Sequence, residues 1–364
     1  MGEVNLRILV FFWNADGLRL CKNLDSTNPR GGFRDYFQEP CTTAKFFPEI
    51  SELIKFNKPN IVVIGTAEEA SSGTYLHSDL LSERMPEMGF VKVDTAKQDG
   101  VGDGAIRLSV YTNVPEYIQE YRLSMNGYIC ENQALGRYSG AACIQINDNR
   151  IGNISFVLVD LPDAYDRIKT VREDPNNILM YRSSIKAANK VCLINIINMF
   201  APISQVDHTI MFGDFNYELY PLNTNIKDFV AKLGRDMNSS EFNKLHQYDE
   251  LRNEIKDVPL NRFKEGLNNS GPEFLPTWKM NKNRSSACRV KKGQTSLPVP
   301  GSDCFSTDET HYSFPSWRDR ILYSNSGRSK FEIKCGGYNR LDLDGMEQST
   351  HAGVLGIFDI GGRV

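Results

Sequence analysis

Long apolar runs are missing from this 364-residue chain, and so is any excess of one charge. Near the N-terminus the apolar run Ile8–Trp13 is only six residues long before Asn14 and Asp16 interrupt it. Such a run is too short to cross a bilayer, and no small-residue cleavage site of a secretory leader follows it. Leu6 stands where a myristoyl acceptor pattern wants Ser or Thr, and the C-terminal Gly-Gly-Arg-Val offers no prenylation Cys. Basic and acidic residues number 42 and 45, a net of −3, so no global positive field draws a polyanion such as nucleic acid. Cys-x-x-Cys pairs are absent as well. The eight cysteines (21, 41, 130, 143, 192, 288, 304 and 335) are scattered, and with no leader in view they are expected to be reduced thiols in a cytoplasmic protein.

What is present is an ordinary globular composition, 40% hydrophobic and 24% charged, which supports a sizeable core. Short apolar runs read as strands at residues 6–13, 61–65, 106–111, 142–146, 154–159, 209–212, 321–323 and 354–358. Helical periodicity covers 46–57, 176–190 and 226–233, with a broad apolar face over 238–255. Pro48 suits the first turn of the first of these helices, because its missing N–H is not needed there. Residues 21–44 read as a long loop and 281–304 as an exposed basic insertion. No repeat or long linker divides the chain, so a single α/β domain over 1–364 is expected.

Polar residues gather where these strands end. Asp214 and Asn216 follow the strand 209–212, a carboxylate and a carboxamide on one face of an extended segment. Such a pair can orient a water or bind a phosphate oxygen; it can equally close a strand as an Asx turn. Asp319 precedes the strand 321–323 and could orient a histidine, and His351 precedes the last strand. Glu68 and Glu69 follow the strand 61–65, and Asn14 and Asp16 follow the first strand. Carboxylates at the ends of separate strands are how an α/β fold assembles a site for a hard cation.

Taken in order, Trp13-Asn14, Ile64-Gly65-x-x-Glu68, Gly213-Asp214-x-Asn216-Tyr217, Pro315-Ser316-Trp317-x-Asp319-Arg320-Ile321-Leu322 and Ser349-x-His351 resemble the inositol polyphosphate 5-phosphatases. That family lies within the endonuclease/exonuclease/phosphatase superfamily. Tyr248-Asp249-Glu250-Leu251 and Phe274-Leu-Pro-Thr-Trp-Lys279 are similar to further motifs of the same branch, so the resemblance spans nearly the whole chain. It implies a four-layer, deoxyribonuclease-I-like sandwich of two mixed β-sheets flanked by helices. It also implies a Mg²⁺ held by Glu68 with Asn14 close by, water activation by Asp214 with Asn216, and a His351–Asp319 pair facing the phosphate. Lys279, His311 and Arg320 would bind an inositol phosphate or phosphoinositide.

Several positions depart from the family pattern. Asp160 stands for a phosphate-binding His, Thr350 for an Asp, Ala67 for a Gln, Glu218 for an Arg, and His311 and Ser313 for two cations that grip a neighbouring phosphate. Gly136–Gly140 keeps little of a Gly-Asn-Lys-Gly loop. With Asp16, these changes leave open a catalytically degenerate binding protein, and the Trp13–Arg19 stretch is also similar to abasic-site nucleases. Residues 274–302 carry six cations and no anion, leaving 36 basic against 45 acidic residues elsewhere. The segment 279–292 could therefore approach an anionic membrane surface.

Overall fold

The computed structural model describes residues 3–16, 19–20, 41–42, 46–69, 82–98, 105–132, 138–163, 175–202, 204–220, 224–233, 239–282, 284–289, 299–307, 313–343 and 345–363. His311, Lys291, Lys292 and most of 21–44 lie outside these residues.

Fourteen strands run along the described chain: β1 (Glu3–Asn14), β2 (Arg19–Leu20), β3 (Cys41–Thr42), β4 (Ile61–Glu69), β5 (Val91–Gln98), β6 (Ala105–Thr112) and β7 (Ile118–Asn132) come first. β8 (Tyr138–Asp148), β9 (Gly152–Asp160), β10 (His208–Asp214), β11 (Lys264–Glu265), β12 (Asp319–Asn325), β13 (Glu332–Leu341) and β14 (Gly353–Arg363) follow. Twelve of them build two six-stranded mixed sheets, ordered β13-β14-β1-β4-β6-β5 and β11-β12-β10-β9-β8-β7, and β2 pairs with β3. Helix α1 (Phe46–Asn57) covers the outer face of the first sheet and α2 (Pro175–Phe200) that of the second.

Alternation along β1 explains the layering. Leu6, Ile8, Val10 and Phe12 enter the core between the sheets, while Leu9, Phe11 and Trp13 pack with Ile50 and Ile54 of α1. A strand buried on both faces reads as one continuous apolar run, which is why the central strands stand out in the sequence. Across the sandwich Phe12 meets Phe212 edge-on with ring centroids 6.4 Å apart. The sheets approach so closely at Gly65 that an added Cβ would lie 2.4 Å from the Phe212 ring.

The strands without a clear apolar signal are the edge strands β5, β7 and β13. An edge strand here buries less of its surface, so charged residues interleave with apolar ones: Val91-Lys-Val-Asp94 and Glu332-Ile-Lys334 are examples. Helix α2 runs ten residues beyond the expected end at Lys190, because Leu193, Ile196, Ile197 and Phe200 continue its buried stripe.

Two expectations are corrected. Disulfides join Cys130 to Cys192 and Cys288 to Cys304, so the thiols are not all reduced; β7 and α2, and two ends of one loop, bring those pairs together in space. Residues 281–304 are not simply an exposed insertion, since Arg284, Cys288, Gly301 and Cys304 are all buried. No helix among the described residues is long and apolar enough to cross a membrane.

Candidate active site

Strand direction decides where the polar residues meet. β1 and β4 run parallel with Asn14 beside Ala67, and β9 and β10 run parallel with Asp160 beside Asp214. β12 runs antiparallel to β10 with Asp319 opposite Asp214. Residues from five distant stretches of chain therefore share one end of the sandwich. Gly213 makes the last turn of β10 possible: its φ is +139°, and a Cβ there would lie 1.9 Å from the Val159 carbonyl oxygen.

The centre is a largely buried set of hydrogen bonds with one longer ionic approach between them. His351 donates from Nδ1 to both carboxylate oxygens of Asp319, at 3.1 and 3.0 Å, and its Nε2 lies 3.9 Å from Asp214 Oδ2. The Asn14 amide nitrogen donates to Asp214 Oδ2 at 3.0 Å and to Glu68 Oε1 at 3.3 Å. Asn14 thus presents its N–H side to the carboxylates and spaces them, while its own oxygen accepts from the Asp16 backbone at 2.9 Å. Asp214 Oδ1 accepts the backbone N–H of Asn216 at 2.9 Å. Ser349 ties the two ends of the chain here, donating to the Asn14 carbonyl and accepting from the His351 backbone N–H, both at 2.9 Å.

Electrostatics follow from this burial. Desolvation pulls the His351 imidazolium down, yet Asp319, Asp214 and Glu68 outweigh it and hold its pKa up at about 9. Burial raises Asp214 to about 6; His351 opposes the rise and the neighbouring Asp319 anion adds to it. Four of the polar residues at this end, Asp16, Glu68, Asn216 and Lys279, have left-handed φ of 51°, 52°, 52° and 71°. Backbone held in that region by its surroundings concentrates at sites that fix side-chain direction.

Carboxylate oxygens of Glu68, Asp160 and Asp214 lie within 4.8 Å of one another, as do ligand atoms of Asp214, Asp319 and His351. The first group is an all-oxygen donor set, which fits a hard divalent cation such as Mg²⁺. Asp16 sits at the rim, where its carboxylate accepts from the backbone and hydroxyl of Thr350 at 3.2 and 3.0 Å and pairs with Lys282 at 2.8 Å. Burial pushes the Asp16 carboxyl up, but Lys282, His351 and Thr350 together leave it below the usual carboxylate range. Glu68, Asp160 and Asp214 thus face one another, and Thr350 acts through Asp16.

Of the residues expected to grip substrate, His311 lies outside the described residues, and Arg320 and Lys279 are engaged inside the protein. Arg320 is fully buried, bonded to Glu265 at 2.6 Å and to Asp249 at 2.9 Å, so it locks the sheet edge rather than meeting a ligand. The sequence could not separate this from substrate contact, because a motif cationic residue fits both roles. Lys279 is buried and donates to the Ser313 carbonyl at 2.6 Å. Within the expected membrane-facing stretch, Arg284 is turned inward onto backbone carbonyls, whereas Lys282 is exposed and pairs with Asp16.

A buried ionic network that spacing alone does not announce lies next to Asn216. Arg318 donates to Asn216 Oδ1 at 2.8 Å, pairs with Glu218 at 2.5 Å and Asp163 at 3.1 Å, and stacks 3.2 Å from the centroid of Trp278. Arg182 from α2 also pairs with Glu218. Asn216 donates from its amide nitrogen to the Leu161 carbonyl at 2.6 Å, so both ends of its carboxamide are held. The available signals were Arg318 inside the Pro-Ser-Trp motif and Glu218 as a departure; only folding pairs them.

Against this geometry, the sequence profile of endonuclease/exonuclease/phosphatase family 2 matches residues 38–357. The chain belongs to that family. Members of the endonuclease/exonuclease/phosphatase family are hydrolases that typically use a divalent metal, and the acidic clusters here could bind one. Among solved structures, two point variants of Cimex nitrophorin, each a ferrous NO complex, align over 98% of this chain and 98% of theirs. Their identities are 14% and 15%, with TM-scores of 0.54 and 0.53. An endonuclease/exonuclease/phosphatase from Beutenbergia cavernae aligns over 98% of this chain and 72% of that chain, at 12% identity and a TM-score of 0.45. The family fold is the observed pair of mixed sheets with flanking helices. A search of curated proteins returns no match.

Proposed function

We propose that this family member is a divalent-metal-dependent phosphoester hydrolase of the 5-phosphatase type, acting on a monoester of an inositol phosphate or phosphoinositide. The observation that carries the reading is the set of Asp319–His351 and Asp214–Asn14–Glu68 hydrogen bonds, with His351 Nε2 3.9 Å from Asp214. A phosphate monoester resists attack through its own negative charge, so its hydrolysis needs charge neutralisation and a pre-oriented water. Mg²⁺, held by Glu68, Asp160 and Asp214, would neutralise phosphate oxygens. Asp214, fixed by the Asn14 amide and the Asn216 backbone, orients the water and receives its proton. His351, held by Asp319, presents Nε2–H to a phosphate oxygen as charge builds there.

Asp160 is the residue on which the reading turns. As a bare anion it would repel the reacting phosphate, whereas next to Glu68 and Asp214 it adds a third carboxylate to a cation site. The bond between Lys279 and Ser313 supports a substrate that needs no neighbouring 4-phosphate. The two disulfides support residence in an oxidising compartment rather than the expected cytoplasm.

The test is phosphate release with Mg²⁺ from a panel of soluble inositol phosphates and phosphoinositide vesicles. Activity on at least one member, lost by about 10³-fold or more in Asp214→Ala, is expected. No release from any member by the wild-type protein would overturn it. Asp160 in the His position favours a second reading, a non-catalytic ligand-binding protein on the same site; inositol phosphate binding without turnover in the presence of Mg²⁺ would establish that instead.

A further inference from the structure

The segment that the sequence presents as a basic arm ends, in the fold, against the loop that carries His351. Arg284 is 7% exposed, and its guanidinium is surrounded by backbone carbonyls of that loop. Nη1 donates to Ser349 O at 2.5 Å and Glu347 O at 3.2 Å; Nη2 donates to Met346 O at 3.1 Å and reaches His351 O at 3.5 Å. Nη1 also reaches Asn281 O at 3.5 Å, closing its own turn. Burial depresses the guanidinium pKa to about 10, against the pull of Asp342. A buried cation so costly to place is tolerated because the planar fork satisfies several carbonyls at once.

The neighbours of Arg284 fasten the same two pieces of chain together. Met280 N–H donates to Thr350 O at 3.0 Å, and Lys282 reaches Asp16, the residue that holds Thr350. Arg289 pairs with Glu347, and the Cys288–Cys304 disulfide closes the segment just beyond. Residues 346–351 contain a 3-10 turn, Met346–Gln348, and one isolated bridge, His351 to Trp278, before β14 begins at Gly353. Ser349 and Arg284 hold this short stretch together with the Met280 and Asp16 bonds to Thr350, the Arg289–Glu347 pair and the bridge from His351 to Trp278. The Arg284 side chain touches neither the Asp319 carboxylate nor any metal-facing group, so whatever it does for the site it does through the loop.

We infer that Arg284 is a positioning residue for His351, acting on the loop beside the direct contacts that Asp319 and Ser349 make to it. Its carbonyl cradle sets the loop conformation in which Nδ1 meets Asp319 and Nε2 faces Asp214. The catalytic consequence rests on the function proposed above; the structural consequence does not. A shift of about 1 Å at a reacting group is enough to cost about 10²-fold in rate. Lysine in its place keeps the charge but replaces the planar fork by a point charge, and cannot span Ser349, Glu347 and Met346 together.

The experiment uses the full chain with its disulfides intact and two readouts. First, the low-field proton resonance of His351 Nδ1–H is followed by NMR in wild type, Arg284→Met, Arg284→Lys and Arg150→Ala. Arg150 pairs with Asp148 at the opposite end of the sheet and serves as the control. Loss or marked shift of the resonance in both Arg284 variants, with none in Arg150→Ala, is expected. An unchanged resonance in a folded Arg284 variant overturns the inference; if Arg284→Met does not fold, Arg284→Lys carries the same test. Second, on the substrate found active, Arg284→Met should lower kcat by about 10²-fold with KM within about twofold. Added guanidinium should restore part of that loss, which a general loss of stability would not allow. If the wild type hydrolyses nothing, the function reading fails and the resonance alone decides the role of Arg284. A kcat within threefold of wild type in an active protein overturns the inference.

Discussion

Asp319 illustrates how a single side chain can be buried, charged and satisfied at once. It faces His351 through both oxygens, and its own backbone N–H donates to the Thr277 hydroxyl at 3.2 Å. Replacing Asp319 with Asn keeps the shape but presents an amide where the imidazole needs an acceptor, which favours the wrong ring tautomer. In steady-state assays Asp319→Asn is expected to lower kcat by about 10²- to 10⁴-fold while leaving KM nearly unchanged. A fall in kcat of less than tenfold would show that the orientation of His351 is not limiting. Arg320 shows the opposite case: a motif cation whose two carboxylate partners, Asp249 and Glu265, leave no donor geometry for a ligand.

At the scale of elements, the staple between Cys288 and Cys304 matters because it follows the Arg284 clamp and precedes Phe305, whose N–H closes the turn from Gly301 at 2.8 Å. The bond joins residues 16 apart, and closing a loop of that size restricts the unfolded chain by about 3 kcal/mol. Cys288→Ala combined with Cys304→Ala is therefore expected to lower unfolding free energy by about 2–4 kcal/mol in urea, with an equal or larger m-value because the unfolded chain is no longer cross-linked there. A loss below about 1 kcal/mol would mean that the rest of the fold already holds the segment in place. The edge strands make a related point about legibility. β5, β7 and β13 lack a continuous apolar run because they terminate their sheets, whereas β1, β4, β9 and β10 are buried centrally and announce themselves.

Over the whole molecule, two buried histidines that make no hydrogen bond to the site residues set part of the response to acid. His208 donates from Nδ1 to Asn325 Oδ1 at 2.9 Å, and His246 donates from Nε2 to the Pro272 carbonyl at 2.9 Å. Burial holds both below the ordinary value of 6.5, despite those hydrogen bonds. The unfolded chain therefore takes up protons at these residues before the folded one does, and their contribution to stability falls as pH drops below 6.5. His351 and Asp214, both raised, bind protons more tightly when folded and act in the opposite direction. The share belonging to the buried pair is the difference between wild type and His208→Gln/His246→Gln. Urea titrations between pH 7.5 and 5.5 should show a smaller loss of stability in the double variant. Equal losses would show that neither histidine is held neutral by the fold.

The sequence by itself determined the fold class, the central strands and the identity of the polar residues at their ends, because doubly buried strands must be apolar throughout and the motif residues must interrupt them. It also carried the endonuclease/exonuclease/phosphatase family, through motifs spread along nearly the whole chain. Tertiary structure alone decided which cations are available. Arg320, Lys279, Arg284 and Arg318 are all basic in the sequence, yet each is spent on carbonyls or carboxylates brought from 34 to 102 residues away. Charge can be counted along a chain, but its partners are fixed by sheet register and loop closure. For the same reason the cysteines looked unpaired: β7 lies 62 residues from its partner in α2, and only packing of that helix on the sheet brings Cys130 to Cys192.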